Sequence, residues 1–212
     1  MIDTGYYPFG DATARAQKAM QACLYGNVLL AQEILLQLRN ELKRQSGDLP
    51  IVSHEREPAD ITSKERAFLT QSFAETQAWG WLELASGIVQ LVLERPGTGM
   101  MYFSRAWRIW RLPSLSRAGL EGVEQQEAVR ERIRARLWLG EAWARSMSDR
   151  AERSAKAILR AALAELERLN AHDILYETIA QQALLPPAAL GSPAHRDDRQ
   201  VSPYVCTMQD IA

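Results

Sequence analysis

Two separated parts of the chain carry the same helical pattern of small and large apolar residues, spaced mostly three, four or seven positions apart. Small residues at such intervals let two antiparallel helices approach closely, while larger ones fill the seam between neighbouring helix pairs. The pattern therefore predicts stacked helical hairpins. Its residues are Gly26, Asn27, Ala31, Leu35 and Leu38 in the first part, and Leu139, Gly140, Trp143, Ala155, Leu159 and Ala162 in the second.

Length and composition are those of an ordinary globular protein. The 212 residues are 47% hydrophobic and 24% charged, which is close to the average for soluble domains. The formal net charge of −1 argues against a protein built mainly to coat nucleic acid or an anionic membrane. No secretory signal pattern is visible at the N-terminus, and charged or amide residues interrupt every apolar run well short of the ~20 residues that span a bilayer. We expect a cytoplasmic protein with no membrane partner.

Helix-forming segments are predicted throughout residues 12–185, with an extended segment over 1–11 and an extended or disordered tail over 186–212. The turn at Gly26-Asn27 ends the first helix. Residues 63–94 form either one long helix or two with a break near Gly80. The stretch 95–99 reads as a loop, Leu112-Pro113 as a helix end, and Asp173 as the cap of the last helix. The predicted helices span 12–25, the segment after the turn to about 45, 63–94, 100–111, 120–147, 150–169 and 174–185.

The hairpins resemble the tetratricopeptide repeat. The resemblance rests on the Gly26-Asn27 turn, on Leu139-Gly140 followed by Trp143, and more loosely on Trp81 with its neighbours Leu84 and Ala85. It implies a right-handed stack of helix pairs that binds peptides or protein segments, without catalytic residues. The units are not spaced at the ~34 residues of that family, and a plain helical bundle is the alternative architecture.

One stretch combines arginine and aromatic residues without an acidic residue. Such a surface can grip an acidic peptide through paired guanidinium contacts, or stack on nucleic-acid bases. The alternative is that Phe103, Ala106, Trp107 and Trp110 face the core while the arginines are solvated. The stretch comprises Tyr102, Arg105, Trp107, Arg108, Trp110, Arg111 and Arg117.

Two further tryptophans, Trp79 and Trp81, lie two positions apart and cannot face the same way on a helix, so we expect one of them near the surface. An exposed tryptophan is a favourable contact for a protein partner. The predicted partner-binding residues are therefore Trp79, Trp81, Arg105, Arg108, Trp110 and Arg111.

Residues of catalytic or metal-binding type are scattered. His54, His172 and His195 fall in a linker, a turn and a tail, without the spacing that places two metal ligands on one helix face. No base can be placed beside a serine or cysteine nucleophile. We expect no catalytic site, no cofactor and no metal.

These observations favour a non-catalytic adaptor or regulatory module that binds a peptide or protein segment in a helical groove. Self-association is a further expectation, because outward leucine and tryptophan residues can form a symmetric interface. A nucleic-acid-associated role is the less favoured alternative, and a helical enzyme with an unrecognised site is the third.

Overall fold

The computed structural model describes residues 8–46, 73–115, 122–146 and 149–187, which form seven helices joined by turns and contain no strand. The predicted all-α class is confirmed. Among these helices none is both long enough and apolar enough to cross a membrane. The helices are α1 (Pro8–Leu24), α2 (Val28–Ser46), α3 (Phe73–Val92), α4 (Pro96–Leu115), α5 (Gly122–Arg145), α6 (Asp149–Leu169) and α7 (His172–Gln182).

Neighbouring helices pack against one another throughout the described chain. Helices α1 and α2, α3 and α4, and α5 and α6 pack as pairs. The odd-numbered helices α1, α3, α5 and α7 also pack on one another in order, and each even-numbered helix contacts the odd-numbered helix that follows it. Every described helix therefore packs on its neighbours along the chain.

The central helix, α3, is buried almost all round because α1, α2, α4 and α5 all pack on it. Trp79 and Trp81 are both buried, so the expectation that one lies near the surface is wrong. A helix enclosed by four neighbours has no solvent-facing side on which to place a second tryptophan. Glycines allow this close packing, since a Cβ atom at Gly80 would collide with the Trp110 indole and one at Gly87 with the Phe103 ring. The helix runs unbroken through both glycines.

Several predicted boundaries are wrong by a few residues. Helix α1 begins at Pro8, so residues 8–11 are helical rather than extended. The loop predicted over 95–99 is shorter, because the chain turns at Leu93–Arg95 with Glu94 at a φ of 57°. Pro96 then opens α4, where a proline suits the first helical position. The same helix continues past Leu112-Pro113 to Leu115.

Two turns show how far local chemistry fixes the chain path. The Gly26-Asn27 turn is confirmed, with Gly26 at a φ of 90° and the Asn27 side-chain oxygen accepting a hydrogen bond of 3.3 Å from the Leu30 N–H. At the other end, Asn170 takes a φ of 51° and α7 begins at His172. Asp173 therefore lies inside the first turn, and the prediction that it caps the helix is wrong.

Some predictions fall on residues outside the described ranges. These are the extended segment over 1–7, the linker with His54, the first part of the 63–94 helix, Arg117, and the tail from residue 188 with His195.

Candidate functional site

The aromatic half of the predicted binding surface lies inside the protein. Trp110 is fully buried, its indole N–H donates a hydrogen bond of 3.1 Å to the Gln77 side-chain oxygen, and its ring meets Trp81 edge-on at 6.0 Å. Phe103 and Ala106 are buried beside it, and Trp107 is half-buried. Trp79, Trp81 and Trp110 thus cannot contact a partner from these positions. The alternative interpretation, in which this face of α4 points to the core, is confirmed for Phe103, Ala106 and Trp110.

Arg105 pairs with an internal carboxylate. Glu83 of α3 is fully buried, with the Arg39 Nη2 atom 2.8 Å from its Oε1 and the Arg105 Nη1 atom 3.7 Å from its Oε2. Both guanidinium groups also lie 5.8 Å from the centre of the Tyr102 ring. Burying a carboxylate is costly because the charge loses its water, unless cations compensate for it. Arg105 therefore stabilises the junction of α2, α3 and α4. Arg108, on the same helix, is half-buried and also interacts with another residue of the protein.

Helix α5 places arginine at every second position from 130 to 136. Positions two apart are ~200° apart around a helix, whereas positions four apart share a face. The four arginines therefore separate into two pairs. Arg130 and Arg134 reach α7, and Arg132 and Arg136 reach α6.

The pair facing α7 belongs to a set that we call the balanced network, which comprises Arg130, Glu131, Arg134, Asp173 and Glu177. The Arg134 guanidinium is buried, with nitrogens 2.5 Å from Glu131 and 2.7 Å from Glu177, and it lies 5.1 Å from the centre of the Trp81 ring. Arg130 pairs with Asp173. The network contains two arginines and three carboxylates, so it is well supplied with negative charge.

The pKa values in the balanced network reflect the presence of these carboxylates. Burial lowers the pKa of Arg134, but attraction to Glu131 and Glu177 more than offsets the burial and leaves the pKa above its ordinary value. Burial raises the pKa of the Glu131 carboxyl, and Arg134 offsets only part of that rise. The Arg130 hydrogen bond lowers the pKa of Asp173. Arg134 is accordingly held as a cation by its neighbours.

The pair facing α6 belongs to a second set, the arginine cluster, which comprises Arg111, Arg132, Arg136 and Arg168 around Glu165 and Trp107. Arg132 donates a hydrogen bond to Glu165 Oε1, and the Arg136 Nη1 atom lies 3.0 Å from Oε2. The Arg168 Nη2 atom is 3.9 Å from Oε1. Three guanidinium groups thus share the two oxygens of one carboxylate.

The fourth arginine joins the cluster through an aromatic ring. The guanidinium carbons of Arg111 and Arg136 each lie 5.3 Å from the centre of the Trp107 ring, within cation–π range. The Trp107 indole nitrogen is buried and has no hydrogen-bond partner. Helix α4 therefore contributes Trp107 and Arg111, α5 contributes Arg132 and Arg136, and α6 contributes Glu165 and Arg168.

Burial and neighbouring arginines both disfavour the charged form of the α5 arginines in the cluster. Burial, followed by repulsion from Arg136, Arg111 and Arg168, lowers the pKa of Arg132 to about 10. Burial and repulsion from Arg111 lower the pKa of Arg136. Both groups stay charged at neutral pH, and both are disfavoured as cations, which is the opposite of the direction found for Arg134.

The side chains of the cluster differ widely in exposure. The Arg132 side chain is 12% exposed and that of Glu165 is 11% exposed, whereas the Arg168 side chain is 73% exposed.

No match was found among protein families, characterised protein sequences or solved structures. Within the described residues, no three His, Cys, Asp or Glu side chains come together to hold a metal ion.

Of the six predicted binding residues, the structure places only Arg111 in the arginine cluster. Sequence reasoning missed Arg132, Arg136, Glu165 and Arg168, which lie on two other helices. The available signal was the run of arginines at every second position of α5, because such a run must present cations on two faces of one helix. Which face meets carboxylates depends on α6 and α7, and local sequence does not determine it.

Proposed function

We propose that this protein is a non-catalytic interaction module that binds an acidic segment of a partner protein at the arginine cluster. The observation that supports this most is the convergence of three guanidinium groups, from α5 and α6, on the carboxylate of Glu165, with Arg111 of α4 against the same Trp107 ring as Arg136. Guanidinium groups bind carboxylates through two parallel N–H···O bonds, which gives the contact both strength and orientation.

The residues around the cluster favour recognition over simple stabilisation. Arginines that repel one another cost folding free energy, and a bound anion relieves that cost. Because Arg132 and Arg136 pack into the protein and Trp107 lies against Arg136 and Arg111, the guanidinium groups are held before a ligand arrives. Preorganised groups lose less conformational entropy on binding, which increases affinity.

A protein segment suits the site better than nucleic acid does. Binding to nucleic acid usually needs a track of cations that neutralises many successive phosphates. This chain has a formal net charge of −1, and the cluster is one local group of cations with a carboxylate at its centre. A short acidic segment complements such a local site.

We also propose that the protein is cytoplasmic and that its hairpins form a tetratricopeptide-like stack, and helix packing supports the second of these proposals. Gly87 of α3 and Gly140 of α5 each lie five positions before the last residue of their helix. Each faces a large side chain of the paired helix, Phe103 and Leu159 respectively. Equivalent close contacts in successive hairpins are a feature of repeat architectures, which commonly present grooves to protein segments.

The test is a binding titration with fluorescein-labelled decaglutamate, followed by fluorescence anisotropy at low salt. The variant R132M/R136M removes both α5 arginines of the cluster. We expect its affinity to fall by at least ~10-fold, since one charge-assisted hydrogen bond contributes about 1.5–3 kcal/mol. The matched control is R153M/R160M, which changes net charge equally at two exposed positions of α6. Its affinity should change by less than ~2-fold.

Equal losses in the two double variants would show that affinity follows net charge, and would overturn the proposed site. A labelled decathymidylate strand serves as the nucleic-acid probe. If it binds the wild-type protein more tightly than decaglutamate does at the same salt concentration, the nucleic-acid alternative replaces the proposal.

A further inference from the structure

The site proposed for a partner carboxylate already holds a carboxylate of this protein. Glu165 of α6 accepts a hydrogen bond from Arg132 at Oε1, and the Arg136 Nη1 atom lies 3.0 Å from its Oε2. Each oxygen of Glu165 thus meets one arginine of α5. An acidic side chain of a partner would need the same contacts to bind both arginines.

The α5 arginines cannot gain a second carboxylate without a change at Glu165. The Arg132 side chain is 12% exposed and the Arg136 side chain is 27% exposed, so most of each is out of reach of solvent while Glu165 stays in place. A second carboxylate placed beside Glu165 would also be repelled by its like charge. A partner carboxylate that binds both α5 arginines therefore takes the place of the Glu165 carboxylate.

Arg168 offers the displaced Glu165 side chain another partner. It lies three positions after Glu165 on α6, a spacing at which opposite charges are neighbours on a helix surface. Its side chain is mostly exposed, and its Nη2 atom is already 3.9 Å from Glu165 Oε1. Rotation of Glu165 toward Arg168 would exchange a buried pairing for an exposed one, so the carboxylate stays compensated after it leaves the α5 arginines.

We propose that Glu165 is a built-in competitor for the acidic segment, which binds by displacing the Glu165 carboxylate from Arg132 and Arg136 toward Arg168. This inference rests on the proposed function, because it describes how the same site is regulated. A protein whose binding-competent state is only partly populated binds its ligand more weakly by that fraction. Weakening the hold of Glu165 on the α5 arginines should therefore strengthen binding.

The first experiment compares two variants that shorten one side chain without changing net charge. E165D retracts the competing carboxylate by one methylene, and we expect it to bind labelled decaglutamate at least ~3-fold more tightly than wild type does, because the competent state is more populated. E167D is the matched control at an exposed position of the same helix, and its affinity should stay within ~1.5-fold of wild type.

The second experiment removes the competing charge. E165Q should bind decaglutamate at least ~5-fold more tightly than wild type does. E167Q changes net charge equally and should gain less than ~2-fold. The variant R132M/R136M/E165Q should bind no more tightly than R132M/R136M, because the arginines that E165Q frees are absent. Thermal unfolding compares all variants with wild type, and E165D keeps a carboxylate among the arginines, so it tests the inference even where E165Q fails to fold.

A purely structural role for Glu165 predicts the opposite sign. If E165D and E165Q bind decaglutamate no more tightly than wild type does, Glu165 orients the arginines, and the inference is wrong while the acidic-segment proposal stands on the loss in R132M/R136M. If the variants at positions 165 and 167 gain equally, the gain does not come from the arginine cluster and the inference is again overturned. If neither wild type nor the variants at position 165 bind decaglutamate, both proposals are wrong.

Discussion

The two sides of α5 present the same residue type at the same spacing in opposite surroundings. Arg130 and Arg134 face α7 and meet carboxylates on Glu131, Asp173 and Glu177. On the other side, Arg132 and Arg136 face α6, where they share the carboxylate of Glu165 with Arg168, and Arg111 lies against the same Trp107 ring as Arg136.

On the proposed function, this difference separates arginines that stabilise the fold from arginines that bind a ligand. In the balanced network, neighbouring carboxylates raise the pKa of Arg134, so the cation is favoured where it lies. In the arginine cluster, burial and then repulsion from neighbouring arginines lower the pKa of Arg132 to about 10, so the surroundings disfavour the cation. Residue type alone does not distinguish the two roles, but the surrounding charges do.

The largest expected effect is on the stability of the balanced network. R134M leaves the Glu131 carboxylate buried without its cation, which should lower the free energy of unfolding by about 3–5 kcal/mol. A urea titration measures this change. K156M is the control, because it breaks the more exposed pair between Lys156 and Glu152 and should cost less than about 1 kcal/mol. Equal effects of R134M and K156M would remove the stabilising role assigned to this side of α5.

A smaller effect is expected on the other side of the helix. R132M removes a cation that repels its neighbours, and Glu165 keeps both Arg136 and Arg168. The free energy of unfolding should therefore change by no more than about 1 kcal/mol in the same urea titration. A loss as large as that of R134M would mean that Arg132 is a structural ion-pair residue, and the contrast between the two sides would disappear.

The smallest effect concerns the exposed edge of the balanced network. The hydrogen bond from Arg130 lowers the pKa of Asp173 in the native protein. Between the ordinary Asp pKa and this lowered value, the unfolded chain therefore binds more protons than the native protein. The stabilisation is present above the ordinary Asp pKa and is lost as the pH falls through the lowered value. D173N should cost less than about 1 kcal/mol at pH 7, because the pair is exposed.

Urea titrations of wild type and D173N at several pH values between 7 and 3 measure the gap between them. The gap should narrow steadily on acidification. A gap that widens as the pH falls would contradict the assigned sign of the pKa change.

The sequence predicted the helical class and the Gly26-Asn27 turn because both depend on local chemistry. Gly26 supplies a positive φ, and the Asn27 side chain bonds the next helix. The predicted loop over 95–99 was too long because proline and glycine near a turn are typical of loops. Proline also suits the first position of a helix, and Pro96 occupies that position in α4.

The site was harder to predict because it depends on which helices meet. Trp79 and Trp81 point in different directions, but four neighbouring helices bury both. Their helix has few charged residues within its buried span, and this near-absence of a polar face was the available signal. Glu165 looks like any solvated glutamate in the sequence, and only the packing of α6 on α5 brings it to Arg132 and Arg136.

The most direct test compares one substitution on each side of α5. R130M and R136M change net charge equally on the same helix, and decaglutamate affinity is measured for both by anisotropy under identical conditions. We predict that R136M loses about 10-fold while R130M stays within ~2-fold of wild type. Equal losses, or a larger loss in R130M, would contradict the account that the side facing α6 binds the ligand and the side facing α7 stabilises the fold.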